Sequence, residues 1–162
     1  MLICLSGREG YFYDWKRNPA RLMLTALFIT DCSVDSALLL RTWLSEQTHQ
    51  PLSLTVVHPY DIPTGALLHK SVCQPAKAEA LTRLNNWTAM MGNSENVYLT
   101  TEILFANPEV TLTIHLLIRG YNYLLVDDWS PVSPTALPLM LAKTRTTVQS
   151  IYCAVSPELV AR

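Results

Sequence analysis

Short apolar runs alternate with amphipathic segments along most of the chain, and this pattern predicts a regular succession of strands and helices. Residues 22–30 form a nearly continuous apolar run, which is typical of a strand buried on both faces of a sheet. Asp31 and Ser33 follow, and their side chains are suited to cap the helix that the spacing predicts over 33–47. Residues 52–57 predict a second strand, which we expect to stop at His58 and Pro59.

The middle of the chain predicts a long connection and then the clearest helix. The connection runs from 60 to 74 and contains Pro63 and Gly65, and loops of that length in a compact domain are usually functional or mobile. A helix is predicted over 75–91, with Gly92 as its carboxyl-terminal cap. Its apolar positions recur every three or four residues, at Ala76, Ala80, Leu84, Trp87 and Met91.

The second half repeats the alternation. The predicted elements are an edge strand over 96–104, a helix over 107–119, a strand over 121–126, a helix over 133–145 and a last strand over 148–155. Asn107 and Pro108 supply a cap and a first-turn proline for the third helix, and Gly120 marks its end. Strands that alternate with helices, joined by right-handed crossovers, predict an α/β fold with a doubly wound parallel sheet.

The first twenty residues do not follow this alternation. Tyr11, Phe12, Tyr13 and Trp15 interleave with charged side chains, and a turn signal closes the segment at Asn18-Pro19. We interpret 1–20 as an N-terminal extension that packs on its own domain or on a partner, and 21–162 as the α/β domain. Stacking of these aromatic side chains on single-stranded nucleic acid is the alternative reading.

Composition narrows the function classes. Charged residues make up 15% of the chain and the formal net charge is −1, which gives no electrostatic attraction for nucleic acid or an acidic membrane. The four cysteines form no C-x-x-C pair, and we expect reduced, buried thiols. No apolar run approaches the length of a membrane span, so a cytoplasmic protein is expected.

Polar side chains follow several of the predicted strands. Asp31, His58 and the pair Asp127-Asp128 all come at strand carboxyl ends, where ligands bind in doubly wound sheets. Trp129 follows the acidic pair and is placed either to stack on a ligand ring or to close the crevice. Cys32, at a helix N-terminus, is read as a buried small residue, with a reactive low-pKa thiol as the alternative.

Over about 22–155 the chain resembles the universal stress protein family. The resemblance is carried by Thr30-Asp31 with Ser33 and Ser36 after the first strand, by Val56-Val57 at the end of the second, and by the long loop before a helix rich in Ala, Glu and Leu. The fourth strand (YLLV, 123–126) and the stretch 151–155 resemble the family's "DLIVMG" and "CPVLVV" segments. The resemblance implies a five-stranded, Rossmann-like sheet of the adenine nucleotide alpha hydrolase type, with strand order 3-2-1-4-5.

The family's ATP-binding members hold adenosine with an aspartate after the first strand and a valine after the second, which Asp31 and Val57 match. They hold the phosphates with a glycine motif after the fourth strand, and this motif does not carry over. Its positions fall on Asp127, Ser130, Met140 and Leu141. The resulting candidate crevice consists of Asp31, Val57, His58, Asp127, Asp128, Trp129 and Ser130.

Replacing these glycines has a direct physical consequence. Glycine lets the backbone approach a phosphate, whereas Asp127 and Asp128 place negative charge near it. At about 5 Å and an effective dielectric near 20, each charge pair costs on the order of 3 kcal/mol before screening. We therefore expect no cofactor and no ATP binding of the family's usual kind, with ATP or another adenine nucleotide kept as the alternative ligand. The two carboxylates could together hold Mg²⁺, but adjacent residues on an extended segment point opposite ways, so no metal site is assigned to them and the question stays open.

The resemblance implies a non-catalytic, dimeric module in stress response or regulation. Members of the family commonly pair through their last strand, and 148–155, which begins at Val148 and ends at Val155, is an apolar edge suited to a homodimer. The alternative is a nucleotide-binding enzyme of a related α/β fold that uses Asp31 and the acidic pair with Mg²⁺.

Overall fold

The computed structural model describes residues 23–47, 50–62, 69–127 and 141–151. Within them the chain forms a five-stranded, all-parallel sheet in the order β3-β2-β1-β4-β5, with helices packed on it. The elements are β1 (Leu24–Ile29), α1 (Val34–Glu46), β2 (Leu52–Tyr60), α2 (Lys70–Met91), β3 (Val97–Phe105), α3 (Pro108–Ile118), β4 (Tyr123–Val126) and β5 (Thr147–Ser150). The α/β class and the strand order predicted from the sequence are both confirmed.

The core lies in two layers, one on each face of the sheet. One layer joins Phe28 of β1 to α1 and α2, where Leu40 and Trp87 are fully buried. The other joins Leu27 of β1 to Leu112 and other side chains of α3. Successive residues of β1 thus point to opposite layers, which is why the strand needs apolar side chains at every position.

The second strand is longer than the sequence pattern predicts. It continues through His58 and Pro59 to Tyr60, and these residues pair with Ile103, Leu104 and Phe105 of β3. The predicted stop was wrong because proline lacks its N–H on one side of the strand only. Val57 O accepts from Thr30 N, so the backbone N–H and C=O groups of odd-numbered β2 residues point towards β1. The missing N–H of Pro59 is therefore on the β1 side, and the pairing of β2 with β3 continues past it.

The second helix begins earlier than predicted, at Lys70 rather than at Pro75. His69 caps it, since its ring accepts a hydrogen bond from Ser71 N. Pro75 therefore lies inside the helix, where it lacks the N–H that would donate to the preceding turn but does not end the helix. The predicted buried positions Ala80, Leu84, Trp87 and Met91 are confirmed, and the predicted loop shrinks accordingly.

The third helix follows the prediction closely. Asn107 caps it by accepting from Val110 N at 2.8 Å, and Pro108 occupies the first turn. Several predicted features lie outside the described residues: the N-terminal extension, most of the helix predicted over 133–145, and the last strand beyond 151. Among the described residues, no helix is both long enough and apolar enough to cross a bilayer.

Candidate functional site

The sheet brings the predicted site residues of three strands to one edge. Phe28 of β1 pairs with Val56 on one side and with Leu125 on the other. The carboxyl ends of β1, β2 and β4 therefore lie side by side, and strand order reverses between β1 and β4. This is the place where doubly wound sheets bind their ligands.

The turn between β1 and α1 is held by its own polar side chains. Asp31 Oδ1 accepts from Ser33 N at 2.9 Å, and Ser33 Oγ accepts from Ser36 N at 3.1 Å. Cys32 sits between them with a φ of 63°, a left-handed conformation that a non-glycine residue adopts at a cost. Asp31 thus serves the turn and helix cap with one carboxylate oxygen, while its half-exposed side chain stays at the edge of the site.

Cys32 is not an activated nucleophile. Burial, and after it the neighbouring carboxylate of Asp31, raise the pKa of Cys32 to about 12, and Arg83 opposes this shift only in part. The thiol is therefore protonated at neutral pH, because a thiolate at this position would lose solvation and face a like charge. Cys32 was predicted to be a buried small residue and is only partly buried, and the raised pKa argues against the alternative of a low-pKa thiol.

A buried polar network beneath the turn was missed by the sequence reading. The Ser36 hydroxyl donates to Ser33 O and accepts from the Trp87 indole N–H at 2.9 Å, so the Thr30 hydroxyl, 3.0 Å away, must donate to it. Thr30 Oγ1 in turn accepts from Cys32 N. The network connects the turn after β1 to Trp87 of α2. The feature of the sequence that could have indicated it is Ser36, a serine at an otherwise apolar position of α1.

Val57 and His58 have separate roles at the end of β2. The Val57 side chain is fully buried in the α3 layer, and its carbonyl accepts from Thr30 N at 3.0 Å. His58 is also buried, and its Nδ1 lies 2.9 Å from Thr30 O. A carbonyl can only accept, so Nδ1 carries a proton and donates it to Thr30 O.

The hydrogen bond from His58 replaces one that Pro59 cannot make. In the parallel ladder, the bond that follows Thr30 N to Val57 O would run from the N–H of residue 59 to Thr30 O. Pro59 has no N–H, so Thr30 O would be left without a donor inside the molecule. The imidazole supplies that donor, which explains why a histidine is buried at this position.

An open cavity of about 290 Å³ lies on the α2 side of this edge. Four consecutive residues at the end of β2 and four residues of α2 line it: His58, Pro59, Tyr60, Asp61, Ala76, Glu79, Ala80 and Arg83. Arg83 Nη2 and Glu79 Oε1 form an exposed ion pair at 2.7 Å at its rim. The cavity therefore has His58 in its wall and one positive and one negative side chain, Arg83 and Glu79, at its rim.

Of the four predicted site residues that the structure describes, His58 lines the cavity, whereas Asp31, Val57 and Asp127 are not among its lining residues. Asp127 is buried at the end of β4, where the resemblance read from the sequence places the first residue of the glycine motif. Asp128, Trp129 and Ser130 lie outside the described residues. Within the described ranges, no group of three His, Cys, Asp or Glu side chains is placed to hold a metal ion.

Comparison with known proteins defines the class of fold. No protein-family model matches the chain, and no curated protein matches it significantly. Solved structures do match across most of the chain. The universal stress protein UspA from Lactobacillus plantarum is 14% identical, with 82% of this chain and 99% of that one covered at a TM-score of 0.57.

Two further solved structures of universal stress proteins are similar to this chain. A protein of the universal stress protein family from Burkholderia pseudomallei is 16% identical over 80% of this chain and 96% of its own, at a TM-score of 0.54. A universal stress protein in complex with cAMP is 14% identical over 80% of this chain and 97% of its own, at 0.53. The chain thus has the universal stress protein fold, and the resemblance read from the sequence is confirmed at the level of fold.

Proposed function

We propose that the chain is a divergent, cytoplasmic universal stress protein that acts as a non-catalytic, dimeric regulatory module and does not hold ATP by its phosphates. The observation that carries this proposal is the buried carboxylate of Asp127 at the switch point, at the position of the first phosphate-binding glycine. A side chain there occupies the space that a phosphate needs, and its charge repels one.

The position of the cavity supports the same conclusion. It opens between β2 and α2, on the far side of β1 from Asp127, and so accepts a ligand without requiring contact with β4. Its volume of about 290 Å³ falls at the lower end of the range for small-molecule sites. A ring-sized ligand that presents hydrogen-bond groups to His58 and the charged rim fits this cavity better than a triphosphate does.

A comparison of adenosine with ATP tests the proposal. If the protein bound the phosphates, ATP would bind far more tightly than adenosine. If Asp127 repels the phosphates, ATP should bind no more tightly than adenosine, or more weakly. We expect calorimetric titrations, with and without Mg²⁺, to show no ATP binding tighter than about 100 µM. Removing the charge in Asp127→Asn should improve the affinity for ATP relative to adenosine, and Asp35→Asn, on the exposed first turn of α1, is the matched control.

Two results would overturn the proposal. Low-micromolar ATP binding that requires Mg²⁺ and disappears in Asp127→Ala would establish the alternative, a nucleotide-dependent enzyme in which this carboxylate holds the metal. Release of phosphate from ATP and Mg²⁺ by the wild-type chain, and not by Asp127→Ala, would show catalysis directly.

A further inference from the structure

The outer face of α3 is apolar. Val110, Ile114, Leu117 and Ile118 recur at helical spacing and are exposed, Ile118 to 76% and Leu117 to 57%. The opposite face carries Leu112 and Leu116, which are buried against the sheet. A helix that is apolar on both faces is typical of one that is covered on both faces.

The carboxyl-terminal end of this helix lies beside the start of β1. Thr25 N donates to the Asn122 side chain at 2.8 Å, and the Thr25 hydroxyl lies 3.5 Å from Gly120 O, two residues beyond Ile118. Leu27 and Ile29 face the α3 layer, so the alternation of β1 places Thr25 on the same side of the sheet. Met23, two residues earlier, is half-exposed and is the first described residue after 1–22.

The size of the apolar face favours an occupant from the same chain. Four or five part-exposed side chains offer on the order of a few hundred Å². A stable interface between separate proteins buries about 800 Å² on each partner. A tethered segment needs less area, because the chain connection supplies an effective concentration of about millimolar and removes most of the entropy cost of association.

We propose that the aromatic stretch 11–17, from the N-terminal extension, binds along this outer face of α3. The stretch contains Tyr11, Phe12, Tyr13 and Trp15, and its charged residues leave one apolar side to lie on the helix. The eight Cα–Cα steps from Trp15 to Met23 span at most about 26 Å when fully extended. The eleven residues of α3 measure about 16 Å, so the whole face is within reach.

Photocrosslinking in the full-length protein tests this proposal. The variant Ile118→p-benzoylphenylalanine puts a reactive group on the most exposed residue of the face, where it does not disturb the core. The same group in place of Leu81, which is exposed on α2 on the other side of the sheet, is the matched control. We expect position 118, and not position 81, to crosslink within one chain to a peptide containing 11–17.

A second substitution links the crosslink to the aromatic contacts. Trp15→Ser together with Phe12→Ser should lower the yield at position 118 severalfold, while Lys16→Ser leaves it unchanged. Three outcomes would each overturn the proposal. They are a crosslink from 118 to a second copy of the chain, a crosslink to 128–140 instead of 11–17, and no crosslink at all. These outcomes do not depend on whether the cavity binds a nucleotide.

Discussion

At the scale of single residues, the carboxyl end of β2 shows how a missing backbone donor is replaced by a side chain. Thr30 O receives the His58 ring N–H in place of the N–H that Pro59 lacks. Pairing with β3 carries β2 on to Tyr60, and the imidazole of His58 lines one wall of the cavity. His58 is therefore a structural residue first, and Nε2 is the ring nitrogen that this bond does not use.

This replacement predicts energetic coupling between His58 and Pro59. His58→Phe keeps a ring but leaves the buried carbonyl of Thr30 without a donor, which should lower the free energy of unfolding by about 1–3 kcal/mol. In a Pro59→Ala background the new N–H at position 59 can donate to the same carbonyl, so the cost of His58→Phe should fall by about 1 kcal/mol. Urea denaturation of the four proteins measures this difference.

The control for this cycle is the proline at the other end of the same strand. Pro51→Ala lies far from His58, so the costs of Pro51→Ala and His58→Phe should simply add. If His58→Phe costs the same in the wild-type chain as in the Pro59→Ala background, the imidazole does not replace the proline's missing donor.

The residue scale also separates what the sequence can predict from what it cannot. The caps by Ser33 and Asn107 were predictable because a cap acts on backbone within three residues of itself. The roles of His58 and Ser36 were not, since each depends on a partner brought close by strand register or by helix packing. Interactions between residues that are close in the sequence can thus be predicted from the sequence more readily than contacts between distant segments.

At the scale of elements, a polar cluster joins α3 to the edge strand β3. Glu102 of β3 accepts from Arg119 Nη1 at 2.6 Å and lies 3.8 Å from His115 Nε2, while His115 Nδ1 contacts the Tyr121 hydroxyl at 3.2 Å. His115 is buried, and burial lowers its pKa below 6.5, with Glu102 acting against this shift and Arg119 adding to it. The cluster fastens the helix to the strand while its histidine is neutral.

This cluster makes stability depend on pH. Because the pKa of His115 is lower in the folded chain, the unfolded chain binds more protons below pH 6.5. The contribution of His115 is complete above about pH 6.5 and is lost as pH falls towards the folded-state pKa. The free energy of unfolding should therefore decrease from about pH 7 to about pH 5.5, by at most about 1.4 kcal/mol per pH unit from this residue.

Urea denaturation across that range in the wild type and in His115→Asn isolates the effect. The variant keeps a polar group near the Tyr121 hydroxyl but cannot titrate, so its stability should vary less with pH. Thr82→Asn, on the exposed side of α2, changes a surface residue without removing a titratable group and should retain the wild-type slope. Equal slopes in the wild type and His115→Asn would contradict the prediction.

The predicted boundaries of two elements were wrong because a proline was taken to end a strand or to begin a helix. Pro108 does mark a helix start, but Pro59 lies within a strand and Pro75 within a helix. In both exceptions the element's other bonds continue without the lost N–H. Pro59 faces Thr30 O of the neighbouring strand, where the His58 ring replaces the missing donor, and the pairing of β2 with β3 continues. Pro75 lies in the second turn of α2, where the N–H that it lacks would make a single bond.

At the scale of the whole molecule, the class of fold and the strand order were predictable. The alternation of apolar runs and amphipathic segments fixes the class, and the family resemblance supplied the order 3-2-1-4-5 that the structure shows. The placement of the cavity was not predictable, because the residues that line it from α2 look like an ordinary solvent-facing helix surface. The predicted site residues that the structure describes lie at the edge of the sheet where the cavity opens, and among them only His58 lines it.

The sheet has two edge strands, and they differ in length. In the described residues β5 spans Thr147–Ser150, whereas β3 spans the nine residues Val97–Phe105. The proposed homodimer uses the last strand, which the sequence predicts over 148–155 and of which the structure describes β5. On β5, Thr147 N and Ile151 N donate inward to β4, so the N–H groups of Val148 and Ser150 point outward. On β3, Ala106 N donates inward to β2, so the N–H of Thr101 points outward.

Proline at these outward positions tests which edge forms the dimer. Ser150→Pro removes an N–H that β4 does not use, so the domain should stay folded while pairing through β5 is blocked. We expect light scattering to give twice the chain mass for the wild type and the mass of one chain for Ser150→Pro. Thr101→Pro is the same change on the opposite edge and should leave the dimer intact. Pairing through the last strand would be ruled out if the wild type were monomeric at every concentration. It would also be ruled out if the dimer dissociated in Thr101→Pro and survived in Ser150→Pro.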